Sequence, residues 1–303
     1  AYMGVIPYFN PVVNIVEKGV SDDGGWTLEE YFALGDKYPD SKLDKDVQDF
    51  NYYFPNFFDA VQQSFVDWEE MKCNYDCESF RTLLRKVKEN SEKKYVSGEN
   101  ATIASALYEK DYLTYGTMIY CDYTRKMQTY LDIRDTFLDN YDLLGVPNQD
   151  GEPRYDMYIY EMYGINALSD KKDEAWIFME YLLSEEYQTE HHSSAFTVRE
   201  DVLEEMFEAE MNYDFSNGDV RHTNRFTGEK LWGSKVAPFT EEDREQLRYI
   251  IDNCYRNTMH YSKLYYIVEE EADYYFAGDK SLEEVVKVIQ SRADIFMEEN
   301  KVD

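Results

Sequence analysis

Hydrophobic and polar positions change period several times along the chain. Val5 to Val16, in "VIPYFNPVVNIV", is a β-branched and aromatic run containing Pro7 and Pro11, and it predicts a strand leaving a turn. Thr27 with Glu30 three residues on has the capping-box pattern, and Trp26, Leu28, Tyr31, Phe32 and Leu34 then keep helical spacing up to Tyr38-Pro39. A further helix is expected from about Asn56 to Trp68. The stripe Phe80, Leu83, Leu84 and Val87 predicts another. Asn100 reads as the N-cap of a helix reaching Lys110. Leu113, Tyr115 and Met118 to Tyr120 read as a buried strand, and Ile133 to Phe137 with "YDLLGVPNQDGEPRY" as an edge strand closed by the Asp150-Gly151 turn.

"MYIYEMYGINALS", residues 157–169, reads as a third apolar strand. Ser169 is then expected to cap a helix whose Ala175, Phe178, Met179, Leu182 and Leu183 share one face. "AFTVRE" reads as a short strand and "DVLEEMFEAEM" as a helix. Residues 212–235 are polar and turn-rich, with a hairpin-like "TGEK", and read as an excursion outside the core. Helices then take over. Thr240 with Asp243 starts one carrying Leu247, Ile250, Ile251 and Cys254; a second runs from about Ser262 to Phe276. Ser281 with Glu284 starts the last, which carries Leu282, Val285, Val286, Ile289, Ala293 and Phe296. Strands mixed with helices, then helices alone, give an α/β class with a helix-rich C-terminus.

Charge changes the picture of partners. The 303 residues carry 62 Asp and Glu against 31 Lys and Arg, a formal charge of -31. That field repels a phosphate backbone and an anionic membrane surface, which argues against nucleic acid as a partner. With 43% hydrophobic and 17% aromatic residues the chain is not a disordered polyanion. No apolar run approaches the ~18 residues of a membrane span. The first 19 residues lack the basic start, apolar centre and small-residue cleavage site of a signal peptide.

Catalytic signatures are missing. There is no dinucleotide or phosphate-binding glycine loop, no nucleophile elbow and no paired-histidine zinc motif. Cys73 and Cys77 suit a disulfide, two metal ligands or two plain thiols, but no second pair or histidine lies at finger spacing, so zinc fits poorly. Cys121 and Cys254 stand alone. His191-His192 falls at a helix end, where a cationic side chain suits the dipole. Asn100 in "NAT" has the N-glycosylation pattern. Asp122, between Tyr120, Tyr123 and Arg125, is the carboxylate best placed for chemistry, yet no second carboxylate pairs with it as a glycosidase requires. No cofactor and no metal are expected. Aromatic clusters carry more: "PYFN", "YYFPNFF", "YCDY" and "HYSKLYY" can stack on sugar rings while Tyr and Asn side chains hydrogen-bond hydroxyls.

Those residues carry a resemblance. "GINALSDKKDEAWIFMEYLLSEEYQ" resembles the strand-helix segment of extracellular solute-binding proteins of carbohydrate ABC importers, the family of maltose-binding protein. "IPYFNPVVNIVEK" resembles its crossover strand, "GWTLEEYFAL" the capped helix after it, "DYLTYGTMIYCDYT" a later strand and loop, and "YFAGDKSLEEVVKVIQSRADIFMEE" the closing helices. The patterns are soft, but they are colinear over nearly the whole chain. The acidic, Tyr-rich style is similar to lipoproteins of Gram-positive gut bacteria.

The resemblance implies a periplasmic-binding-protein-like fold of type II, with one complete lobe plus part of the other. Residues 10–160 and 240–303 would form the second lobe, and residues 1–9 and 161–239 the remaining part of the first, with the crossover strands. Most of the first lobe, the signal peptide and the lipid-bearing Cys would then be absent from this chain. The full-length form would be an extracellular, membrane-tethered lipoprotein. Self-association of the truncated chain is expected from the apolar surface left bare. The implied ligand contacts are Tyr8, Phe9 and Asn10; Tyr53, Phe54 and Phe57; Tyr120, Asp122 and Tyr123; and His260, Tyr261 and Tyr265. The implied function is capture of a carbohydrate, an oligosaccharide by preference, in an interlobe cleft for membrane permease subunits, without covalent chemistry. The alternatives are a glycoside hydrolase using Asp122, and a binder of another solute such as a peptide or polyamine.

Overall fold

The computed structural model describes residues 4–21, 24–44, 58, 61–92, 102–121, 125–191, 194–214, 221–232, 238–255 and 263–301. Everything is organised around one long strand. After β1 (Gly4–Val5), strand β2 (Tyr8–Glu17) carries the β-branched run read from the sequence. It is antiparallel to β6 (Tyr112–Met118) along one edge and to β7 (Tyr141–Leu144) along the other. Nearer its start it pairs with β8 (Tyr155–Tyr158) and with β10 (Phe196–Thr197). β3 (Lys42–Asp44) extends the sheet in parallel beyond β6, and β13 (Cys254–Tyr255) does so beyond β8.

Period-two alternation gives this sheet two buried faces. Ile15 and Val16 are adjacent on β2 and fully buried, yet they enter different cores, as Leu143 and Leu144 do. On the Val16 side lie α1 (Leu28–Lys37), α2 (Glu78–Ser91), α9 (Lys263–Ala277) and α10 (Leu282–Glu299). On the Ile15 side lie α3 (Ile103–Tyr108), α4 (Gln128–Phe137), α7 (Glu200–Met211) and α8 (Glu241–Asp252). Buried aliphatic and aromatic side chains of this kind are worth roughly 1.5–3 kcal/mol each. The capping boxes at Thr27, Thr240 and Ser281 form as the spacing predicts. Gly145 allows a close approach: a Cβ there would lie 2.2 Å from the carbonyl oxygen of Arg154, while its own carbonyl accepts from Trp26 Nε1 at 2.7 Å and Asn14 Nδ2 at 2.9 Å.

A third cluster is small. β9 (Tyr163–Gly164) pairs with β1, and α5 (Lys172–Leu182) and α6 (Glu185–His191) lie beside them. Among the described residues, Val5, Met179 and Leu182 are the buried members of that cluster.

Several expectations need correction. Ile133 to Phe137 is the end of helix α4, because Ile133 and Phe137, four apart, both face the core. Residues 157–169 divide into two short strands, β8 and β9. Phe58 and Val61 are helical and a 3₁₀ turn covers Gln62–Phe65, but β4 (Val66–Asp67) then pairs with β5 (Lys72–Cys73), so the helix does not reach Trp68. Thr102, not Asn100, caps α3 through the Ser105 amide. Lys171 occupies the N-cap of α5, with Ser169 Oγ accepting from its amide at 3.1 Å. Cys254 lies past α8, in β13.

Phe196, Leu203, Phe207, Phe226 and Phe239 join the core under β2 and β6 rather than the third cluster. Residues 212–235 contain the hairpin β11 (Arg221–Thr223) and β12 (Lys230–Trp232), yet Phe226 at its turn is fully buried, 5.2 Å from the Phe137 ring. The polar sequence around Phe226 hides that anchor.

Candidate functional site

The start of β2 is where polar and aromatic side chains gather. Asn10 is completely buried. Its Nδ2 donates to the Ser194 carbonyl at 3.0 Å and to Tyr160 Oη at 3.3 Å. Its Oδ1 has no partner among the described residues. A buried acceptor left unpaired costs ~1–3 kcal/mol. Asn10 faces Tyr158 across the β2–β8 ladder. On the other edge the last ladder pair is Val12 with Met118, and the Ile119 amide still donates to the Pro11 carbonyl at 2.8 Å. One step further in that register sets Tyr120 opposite Asn10. Residues opposite one another on adjacent strands share a face, so Tyr158 and Asn10 form a row across β8 and β2 that the segment following β6 continues at Tyr120.

Tyr158 and Tyr160 are 52% and 51% exposed, their rings edge-to-face at 4.9 Å. The guanidinium of Arg225 lies 5.2 Å over the Tyr120 ring. A buried ion pair lies at the start of α4: Arg125 Nε donates to Glu210, whose other oxygen accepts from the Met127 amide at 3.2 Å. The row is thus amphipathic: aromatic faces for apolar contact, and an amide with hydroxyls for hydrogen bonds. It suits a neutral polyhydroxyl molecule.

The sequence-derived candidates fall into three groups. Asn10 and Tyr120 stand in this row. Tyr8 lies beside it, half-buried, with its hydroxyl donating to the Tyr187 carbonyl at 3.3 Å. Burial, then the Tyr187 phenol, pushes the Tyr8 pKa up. Phe9 and Tyr265 are packing residues. Phe9 turns into the core beside Phe196, because alternation on β2 points it away from Asn10. Tyr265 is 5% exposed in the opposite core, 6.4 Å from the Phe58 ring. Tyr53, Phe54, Phe57, Asp122, Tyr123, His260 and Tyr261 lie outside the described residues. Tyr158, Tyr160 and Arg225 were missed. The i, i+2 spacing of the two tyrosines in "YIY" was the signal for a shared face.

The far end of β2 has a hollow of about 420 Å³, lined by Lys18, Asp142, Gln246 and Tyr249 among others. Its walls are mixed in charge and include the rings of Tyr155 and Tyr249, edge-to-face at 6.3 Å. The four cysteines are free thiols; burial, the largest cause in each case, pushes Cys73 and Cys254 up to about 12. Among the described residues no group of three or more His, Cys, Asp or Glu could hold a metal ion, and no helix is long and apolar enough to cross a membrane.

No family model matches the sequence, and no curated protein matches it. Solved structures do. An ABC substrate-binding protein from Listeria monocytogenes, in complex with cycloalternan, is 14% identical, with a TM-score of 0.50 over 97% of this chain and 71% of its own. A cyclic alpha-maltosyl-1,6-maltose binding protein from Arthrobacter globiformis is 12% identical, with a TM-score of 0.49 over 98% of this chain and 72% of its own. An ABC transporter solute-binding protein from Thermotoga lettingae, bound with alpha-D-tagatose, gives 12%, 0.49, 97% and 72% respectively. The first likeness shows the fold: the chain has the periplasmic-binding-protein-like α/β architecture, with a helix-rich C-terminus.

Proposed function

We propose that the chain captures a carbohydrate, as the extracellular solute receptor of an ABC importer, and performs no covalent chemistry on it. The observation that carries this reading is the row Tyr158–Asn10–Tyr120 with Tyr160. A fully buried amide offers an unpaired acceptor beside two half-exposed phenol rings. A sugar hydroxyl donating to Asn10 Oδ1 would relieve the unpaired acceptor, while a ring face stacks on Tyr158 or Tyr160. The likeness in fold to a receptor in complex with cycloalternan agrees with this. An oligosaccharide is the expected size, because a row that runs from β8 across β2 to Tyr120 is wider than one sugar ring. A second wall, closing over the row, would bring the receptor to its permease. A lipid tether on the full-length form belongs to the same reading.

The test is a titration of intrinsic fluorescence with neutral mono- and oligosaccharides, beside spermidine and a tripeptide. One class of sugar is expected to saturate the signal. Asn10→Ala and Tyr160→Ala are expected to weaken it ~10-fold or more, as loss of a hydrogen bond and a stacking face at a dry site would. Binding of spermidine or peptide alone, or turnover of a chromogenic glycoside, would overturn the proposal.

A further inference from the structure

The hollow at the far end of β2 is separate from the tyrosine row. At ~3.3 Å per residue, Lys18 on its wall lies roughly 26 Å along the strand direction from Asn10. Its volume of about 420 Å³ falls in the range of small-molecule sites. Leu143, Leu144 and Ile250 give it a buried apolar lining, and the Tyr249 ring stands beside them, 42% exposed. The Tyr155 hydroxyl donates to the Leu143 carbonyl at 3.0 Å, which fixes the ring that Tyr249 packs against. Two side-chain donors on the same lining have no acceptor among the described residues. Lys18 Nζ forms no ion pair, in a chain with 62 acids to 31 bases. Gln246 Oε1 accepts from the Tyr130 hydroxyl at 2.6 Å, which orients the amide and leaves its Nε2 group over. Asp142 adds a carboxylate to the wall.

We propose that the hollow binds a free amino acid with an apolar side chain. Lys18 Nζ and Gln246 Nε2 take its carboxylate, Asp142 its ammonium, and Tyr249 with Ile250 its side chain. The strands set the spacing of the charges. Asp142 faces Val16 in the β2–β7 ladder, and Lys18, whose amide donates to the Asn140 carbonyl at 3.0 Å, continues that register. Lys18 and Asp142 are therefore diagonal neighbours, with Cβ atoms ~7–8 Å apart. They form no ion pair with each other, and the two charged ends of an amino acid can bridge that gap. The charges of such a ligand cancel, so the field of a chain carrying -31 does not repel it as it would a plain carboxylate. The site lies away from the row and does not rest on the carbohydrate reading.

Titration calorimetry of the full chain with L-phenylalanine tests this, beside L-phenylalaninamide, N-acetyl-L-phenylalanine and glycine. L-phenylalanine is expected to saturate a single site. Loss of the carboxylate, of the ammonium or of the side chain, as in the other three, is expected to weaken binding at least ~10-fold in each case. Lys18→Ala is expected to weaken L-phenylalanine at least ~10-fold without weakening the amide, which has no carboxylate for it to hold. Lys287→Ala, at an exposed position on α10, is expected to change neither, with circular dichroism reporting the fold of both variants. No saturation by ~10 mM, binding of the amide as tight as that of the amino acid, or an equal loss from Lys287→Ala would each overturn the proposal.

Discussion

The central sheet and the unit built from β1, β9, α5 and α6 are made from the same kinds of residue and reach opposite states. β2 has a core on each face, so Phe80, Phe137 and Val286 are fully enclosed. Helix α5 is as rich in aromatic and aliphatic side chains as α2 or α10, yet encloses only Met179 and Leu182. The difference, among the described residues, is the number of layers. A helix on a sheet that has another layer behind it loses its apolar stripe to the interior. A helix against a two-stranded ribbon keeps half of its apolar surface in water. Hydrophobic pattern says which residues seek cover; topology decides which of them find it.

The contrast breaks most sharply on truncation. Phe137→Ala removes a ring packed against Tyr108, Tyr141 and Phe226 and is expected to cost about 3–5 kcal/mol in denaturant unfolding. Phe178→Ala in the open unit is expected to cost less than about 1 kcal/mol. Equal losses would mean that α5 is covered within one chain. Next in size is Ser281→Ala. The Ser281 hydroxyl accepts from the Glu284 amide at 3.3 Å, and Glu284 caps back at 2.9 Å, so loss of the hydroxyl is expected to lower stability by about 1 kcal/mol.

The smallest effect is read against pH. The Glu17 carboxyl at the end of β2 is held below its ordinary value of 4.5, chiefly by the hydrogen bond from Lys110. A depressed carboxyl stabilises the fold above its ordinary pKa, and that contribution disappears as pH falls through 4.5 and then through the depressed value. The stability gap between the native chain and Glu17→Gln is therefore expected to be widest near neutrality and to close on acidification. The carboxylate is partly exposed, so salt narrows the gap too. A gap that widens in acid would contradict the assignment.

Much of the sheet and its helices was legible in the sequence because local signals and burial agree there. The boxes at Thr27, Thr240 and Ser281, the stripe Phe80–Leu83–Leu84–Val87 and the β-branched run of β2 each satisfy backbone and core together. Reading failed where tertiary contact outweighs local pattern. Phe226 is one buried ring in a polar hairpin. Ile133–Phe137 looked strand-like but is helical because the core accepts side chains four apart. Of the candidate row, Asn10 and Tyr120 were among the residues read from the sequence, whereas Phe9 was grouped with Asn10 by neighbourhood, against the alternation that turns it into the core. Tyr158 and Tyr160 escaped because residues 157–169 were read as one apolar strand, when β8 ends at Tyr158 and both rings stand half in water.

The most direct test of the account is a crystal of the chain soaked with the sugar that gives the strongest titration. The row at the start of β2 predicts a sugar ring against Tyr158 or Tyr160, with a hydroxyl in hydrogen-bond reach of Asn10 Oδ1. A sugar seated instead at the other end of the strand, among Lys18, Asp142, Gln246 and Tyr249, would contradict it.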